Sequence, residues 1–267
     1  MEARTPQKGL GLSVVIITKN EAHHLTDCLA SVDFADEVII VDSGSTDGTV
    51  ELAKALGAQV HSTSDWPGFG AQKNRALDLA SQPWVLSIDA DERVTPALRD
   101  DIIATLVRPS HQAYQMARLS EFCQQPIYHS GWWPDHVLRL FRRDRARFND
   151  AQVHERVVTT QPVATLHGHL LHYPYPDLDA LINKINRYSS DAANSMAKKG
   201  KRASVYSAVT HSVWTFIRIY FLRKGFLDGR YGFVLAVTAA SGSFYRYAKL
   251  MMLNDRARSV SDKQDQK

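Results

Sequence analysis

The chain has 267 residues, 44% of them hydrophobic and 22% charged, with a formal net charge of +4. These proportions exclude a largely disordered protein and leave enough apolar residues for one or two cored domains. The charge is uneven: residues 1–175 hold 16 Lys and Arg against 21 Asp and Glu (−5), and residues 176–267 hold 16 against 7 (+9).

Such a split suggests two jobs, or two differently solvated surfaces. Residues 1–9 are polar and lack the apolar core of a secretory signal. Cys28 and Cys123 have no metal-ligand spacing and read as reduced thiols of a cytoplasmic protein.

In chain order, LSVVIITKN (12–20) is a β-branched run that predicts a buried strand ending at Thr18. EAHHLTDCLASV spaces Leu25, Cys28, Leu29 and Val32 as a helix does. EVIIVDSGSTDGT predicts a second buried strand and a turn, with Thr46 or Asp47 as cap of the helix VELAKALGA. QVHST is a third short strand, GFGAQKNRALDLAS a glycine-rich loop and helix, and WVLSIDADE a fourth strand. TPALRDDIIATLV is a helix with Thr95 as N-cap and Pro96 at its first position.

Residues 12–108 thus alternate strand and helix, which implies a parallel sheet covered on both faces. AYQMARLSEF and HVLRLFRR then predict strands in a more mixed sheet. From Asp177 the chain reads as helical, through LDALINKINRYSSDAANSMAKKGK and two further apolar stretches.

Open sheets of this kind bind ligands at the carboxyl ends of their strands. Thr18, Asn20, Glu21, Asp42, Ser43, Asp89 and Asp91 all fall there. Asp89-Ala-Asp91 is a D-x-D pair, and with Glu92 it crowds negative charge at the end of an apolar run. Carboxylates so placed need water or a cation, and Mg²⁺ and Mn²⁺ prefer oxygen ligands. Asp42 suits a ribose or a pyrimidine N–H, or else a turn. No G-x-G-x-x-G follows the first strand, which argues against a dinucleotide cofactor.

VVIITKNE, VIIVDSGSTDGT, QKNRAL and VLSIDADE, in this order and spacing, resemble the donor half of family 2 glycosyltransferases. The resemblance implies an α/β fold of the GT-A (Rossmann-like nucleotide-diphospho-sugar transferase) class with a mixed sheet, then a C-terminal helical region. Expected boundaries are 10–175 for the transferase domain (donor half 12–110, acceptor half 111–175), 176–255 for the basic helices and 256–267 for a disordered tail.

By position, the resemblance places Thr18, Asn20, Glu21, Asp42 and Ser43 around the nucleotide. Lys73, Asn74 and Arg75 fall near the base and diphosphate. Asp89 serves the donor sugar, and Asp91, with Asp89, the Mg²⁺ or Mn²⁺. GWWPDHVLRLFRR, RFNDAQVHE, LLHYPY and FLDGRYGF are similar to the lipopolysaccharide-core β-1,4-glucosyltransferases, which implies UDP-glucose as donor and a core heptose as acceptor.

Inverting transfer needs a carboxylate base at the acceptor hydroxyl. Glu155 is the first choice and Asp135 the reserve. His154 stands where many relatives carry an acid, and ligates the metal, meets the diphosphate or is an ordinary surface or strand histidine. Arg139 and Arg142 meet anionic acceptor or phosphate groups, or are exposed strand residues. Trp132 and Trp133 stack on sugar or lie in a core. His167, His169 and His172 read as one polar strand face.

VWTFIRIYFL and FVLAVTAASGSFY fall short of the roughly 18 apolar residues of a spanning helix. With the lysines and arginines around them they predict either an in-plane membrane anchor or a bundle packed on the first domain or on a second subunit. No nucleic-acid module is present. The expected protein is an inverting transferase at the cytoplasmic face of the inner membrane. Its rivals are a family 2 enzyme with another donor or a protein acceptor, and a non-catalytic nucleotide-sugar-binding scaffold.

Overall fold

The computed structural model describes residues 9–149 and 155–264, with side chains through residue 257. The chain forms two compact units. One comprises the described residues through Leu119 with Pro134–Tyr173; the other comprises Ser120–Trp133 with the described residues from Pro174 onward.

The α/β part contains β1 (Leu12–Thr18), α1 (Ala22–Ala30), β2 (Glu37–Asp42), α2 (Thr49–Ala55), β3 (Gln59–Ser62), α3 (Phe69–Leu79) and β4 (Trp84–Ser87). Then come β5 (Glu92–Val94), α4 (Pro96–Val107), β6 (Ala113–Phe122), β7 (Gln125–Pro126), β8 (Asp135–Arg142), β9 (Ala146–Phe148), β10 (Val157–Thr159) and β11 (Val163–Tyr175). The large sheet runs in the order β3-β2-β1-β4-β8-β6-β11-β5, with β7 beside β6. β1 pairs in parallel with β2 and β4, so Thr18 faces Asp42 and Val15 faces Ser87. β8 joins β4 in the opposite direction, with Leu140 beside Leu86.

The apolar runs of β1, β2 and β4 bury both faces because helices cover both. Val14, Ile16, Ile40 and Leu86 point into one core with α1 and α4. Val15, Ile39, Val41 and Val85 point into the other with α3. That two-sided burial is why the sequence shows continuous apolar strands rather than alternation. At the start of α4, Thr95 Oγ1 accepts from Leu98 N and Pro96 takes the first position. α2 begins later than Thr46 or Asp47 would place it: its N-cap is Gly48, in the left-handed region at φ 86°, with no side-chain cap. Asp47 instead accepts from the backbone N–H of Thr49 and Ala22.

The helical unit contains α5 (Leu178–Lys198), α6 (Val205–Ile217) and α7 (Gly229–Gln264). Asp177 caps α5 and a Ser204–Ser207 capping box opens α6. α6 runs on as a π-helical segment, Arg218–Leu222, and a 3₁₀ turn, Gly225–Asp228, leads into α7. A Cβ at Gly232 would lie 1.9 Å from the Gly225 carbonyl oxygen, so only glycine lets this turn fold back on α7. Asp228 then staples the turn to residues 128–130, accepting from Tyr128 N at 3.1 Å and Ser130 Oγ at 2.7 Å. The tail expected from residue 256 falls mostly where side chains lie outside the described residues.

Candidate active site

The loop after β2 is folded around Asp42. Its Oδ1 accepts from Thr18 Oγ1 at 2.9 Å and from the Ser45 hydroxyl. Its Oδ2 accepts from Gly44 N and Ser45 N, both at 2.9 Å. A buried carboxylate with this many donors holds the turn itself. Asn20, at φ 58°, closes the same loop: its N–H donates to Ser45 Oγ, and its Oδ1 accepts from Thr46 N. Ser43 Oγ accepts from Gln72 Nε2.

The tip of β4 carries the carboxylate cluster, and the chain supplies much of its counter-charge. Glu92 is 0% exposed. Its Oε1 accepts from Arg139 at 2.6 Å and Arg118 at 3.0 Å, and its Oε2 accepts from Asp89 N. Asp89 meets Lys73 Nζ at 2.8 Å on one oxygen and Arg139 Nη2 at 2.6 Å on the other, while its side chain stays 31% exposed. Burial opposes ionisation there, but Arg139 and Lys73 outweigh it and hold the Asp89 carboxyl well below the usual range. Burial likewise disfavours the Arg139 cation, and Asp89 and Glu92 overcome that. Arg139 Nε is a buried nitrogen without a hydrogen-bond partner.

Lys73 is shared. Its Nζ also meets Glu155 Oε1 at 2.8 Å. A pocket of about 290 Å³ opens here, lined by Lys73, Asp89, Arg118, Arg139, Phe148 and Glu155. Asp135 borders this network, its Oδ2 taking two hydrogen bonds from Arg118. A larger hollow of about 520 Å³ along β9 and β10 is lined by Arg143, Arg145 and Arg147 and carries none of these strand-end carboxylates.

Asp91 stands apart from the arginines. Its Oδ2 lies 3.4 Å from His172 Nε2. Burial would raise its carboxyl; the hydrogen bond and charge of His172 reverse that and lower it. Glu21 shows the opposite balance. Burial, then the charges of Asp91, Asp47 and Asp89, push it up to about 7. The ligand atoms of Glu21, His23 and His24 lie within 4.8 Å of one another and form a further group able to hold a cation.

The structure therefore brings Lys73, Asp89, Arg139 and Glu155 together and sets Asp135 beside them. It does not bring Arg142 there: Arg142 pairs with Trp84, at the opposite end of β4, and its guanidinium lies over that ring. Arg75 turns to Asp65 in a bidentate pair. Asn74 binds the backbone N–H and C=O of Phe148 and so fixes β9 to α3. Trp132 packs with Phe122 and Tyr175 in the core of the helical unit, and Trp133 meets Tyr128 edge-on. His154 lies outside the described residues.

The expectation of one polar histidine face on β11 is corrected. His167 and His169 share a parity along the strand, His172 has the other, and only His172 is paired in register with Glu92 and set against Asp91. Sequence reasoning counted Glu92 only among the crowded carboxylates, read His172 as part of a polar strand face and gave no role to Arg118. The advance signal for Glu92 was its place among charges at the end of an apolar run, and for Arg118 a charge within a strand-like stretch.

Residues 13–162 match the glycosyl transferase family 2 profile. The chain is 34% identical to an uncharacterized glycosyltransferase of Rickettsia typhi, over 93% of this chain and 89% of that one. It is 35% identical to the lipopolysaccharide core biosynthesis glycosyltransferase LpsC of Rhizobium meliloti, over 90% and 92%. Among solved structures, glucosyl-3-phosphoglycerate synthase of Mycobacterium tuberculosis, in complex with Mn²⁺, UDP and glucosyl-3-phosphoglycerate, matches at 21% identity over 54% of this chain and 64% of that one, with a TM-score of 0.38. With its mixed sheet, its covering helices and its helical C-terminal region, the chain is an α/β enzyme that belongs to glycosyltransferase family 2.

Proposed function

We propose that the protein is an inverting, metal-dependent hexosyltransferase that moves glucose from UDP-glucose to a heptose of the lipopolysaccharide core or a related glycolipid, at the cytoplasmic face of the inner membrane. The relative named for lipopolysaccharide core biosynthesis supports the acceptor class. The observation that carries the chemistry is the Lys73 ammonium, 2.8 Å from both Asp89 and Glu155, which links a strand-end carboxylate to a candidate base in one pocket.

In this reading Asp91 and His172 hold Mg²⁺ or Mn²⁺. A carboxylate oxygen and an imidazole nitrogen 3.4 Å apart form a donor set that suits Mn²⁺ better than Mg²⁺, which takes oxygen ligands and would lean on Asp91 and phosphate oxygens. Asp89 does not fit as a second ligand, because each of its oxygens already meets a cation. A bound ion would offset the charge that gathers on the leaving diphosphate. Asp89, kept ionised by Arg139 and Lys73, receives hydroxyls of the donor sugar. Lys73 fixes Oε1 of Glu155, and Oε2 takes the proton from the acceptor hydroxyl. Asp135 is the reserve base. Asn20, Glu21 and Ser43 flank the nucleotide, on a turn that Asp42 keeps in shape.

The test is transfer from UDP-glucose with Mn²⁺ to core oligosaccharide from a strain lacking this protein, read by mass spectrometry. Asp91→Ala is expected to lower kcat/KM roughly a thousandfold, as losing several kcal/mol of charge stabilisation requires. Full transfer by that variant overturns the site; no transfer by the wild type overturns the donor or the acceptor.

A further inference from the structure

α6 inverts the usual arrangement of a surface helix. Among its residues only Ala208 is buried, and Val205–Ile217 contains no charged side chain. Tyr206, Val209, Val213 and Ile217 recur every three or four residues, so they form one stripe, and that stripe faces solvent. Tyr206 is 79% exposed and Trp214, beside the stripe, 54%. The π-helical segment extends the face with Phe221 and Leu222, the latter 62% exposed. On α7, Phe233, Val237 and Phe244 repeat the pattern on the exposed side.

The inner side of the same hairpin is well packed. Ser212 Oγ bonds the Ala240 carbonyl, and a Cβ at Gly242 would strike Ile185 of α5 at 2.7 Å. The outward apolar side is therefore a second surface, not a badly placed core.

Charge decides what covers it. Residues 201–250 contain eight lysines and arginines and a single acid, Asp228, whose carboxylate is taken up by residues 128–130. Arg218, Arg223, Lys224 and Arg230 are exposed around the tip of the hairpin. A second copy of this chain would set these like charges against each other, which costs affinity. An anionic lipid surface complements them, and it accepts aromatic side chains at the headgroup level. No helix among the described residues is long and apolar enough to cross a membrane. A short apolar face rimmed by cations suits the plane of a bilayer interface.

We propose that the outer face of α6, the π-helical segment and the first turns of α7 docks in plane on an anionic lipid bilayer, with the cationic tip residues at the headgroups. This deepens the reading above, in which the acceptor is membrane-bound, and names the surface that meets the membrane.

The test mixes the full chain, without donor or acceptor, with phosphatidylcholine vesicles that contain or lack about one-third phosphatidylglycerol. Co-flotation is expected with the anionic vesicles at low salt and should weaken about tenfold or more near 1 M salt. Trp214→Glu with Phe221→Glu should cut binding about tenfold or more, with melting temperature and transfer to a water-soluble acceptor fragment unchanged. Arg218→Glu with Arg230→Glu, which touches no apolar contact of the stripe, should cut binding to anionic vesicles by a similar factor. Wild-type protein that ignores anionic vesicles at low salt overturns the proposal. So do substituted chains that bind as wild type does, and a dimer that the Trp214 and Phe221 changes split while no vesicle is bound. Because binding is read without substrate, failure of the transferase reading and failure of this one are separable.

Discussion

The two units bury carboxylates in different ways. In the α/β unit, Glu92 and Asp89 are met by guanidinium and ammonium groups, at 2.6 Å from Arg139 and 2.8 Å from Lys73. In the helical unit, Asp228 is met by backbone N–H groups, one hydroxyl and an imidazole, at 3.0 Å from His129 N, 2.7 Å from Ser130 Oγ and 3.1 Å from His129 Nδ1. Charge matched by charge leaves a site whose ionisation changes when one partner moves, which suits chemistry. Charge matched mainly by backbone N–H groups and a hydroxyl, with no guanidinium or ammonium, makes a staple. The surfaces differ as well: the apolar residues of β1, β2 and β4 lie inside the sheet layers, whereas α6 turns Tyr206, Val213 and Trp214 to solvent.

The sharpest way to break this contrast is Arg139→Met. It leaves Glu92, which is fully buried, with Arg118 as its one cation, and Asp89, which is partly open to solvent, with Lys73 as its one cation. Removing one partner of a buried ion pair costs about 3–5 kcal/mol. Urea denaturation should show that loss, with transfer activity falling as well. Arg142→Met, three residues along β8 and with a side chain 38% exposed, should change stability by less than about 0.5 kcal/mol. Equal midpoints for the two variants would mean that the buried pairs carry no special weight.

Glu155→Gln asks whether the network serves reaction as well as folding. Glutamine keeps an acceptor oxygen for Lys73 but loses the basic carboxylate. Expected is a fall in kcat of about 10²–10³ with little change in the donor KM, the size typical of losing a general base. A loss confined to KM would make Glu155 a binding residue and return the base to Asp135.

Much of this was legible in the sequence. Continuous β-branched runs separated by helical spacing specify strands covered on both faces, and the strand order places Thr18, Asp42 and Asp89 at one edge. The source of the counter-charge was not legible. Arg139 is 50 residues from Asp89 and Arg118 is 26 from Glu92. They meet only because β8 runs antiparallel to β4 and β6 antiparallel to β8. Register of that kind is set by tertiary packing and leaves no local trace. His172 was hidden for the same reason, since its parity within β11 matters only beside β5. In α6 the apolar residues were plain to see. Their direction was not, because periodicity gives a stripe without saying which side the neighbouring helix takes.

Asp228→Asn probes the other side of the comparison. Asparagine has nearly the same shape, yet it keeps one acceptor oxygen where the carboxylate has two, and it aims an amide N–H₂ at groups that are themselves donors. Tyr128 N at 3.1 Å, His129 N at 3.0 Å and Ser130 Oγ at 2.7 Å cannot all be satisfied. No guanidinium or ammonium meets Asp228, so the change strands no permanent charge; the His129 ring, 3.1 Å from Oδ1, is 34% exposed and open to water. The expected cost is about 1–2 kcal/mol in urea, below that of Arg139→Met. Amide exchange at Tyr128 and His129 should quicken while the strands of the α/β unit stay protected. A cost equal to that of Arg139→Met would show that what matters is burial of the acid and not the charge of its partner, and the distinction between site and staple would have to be given up.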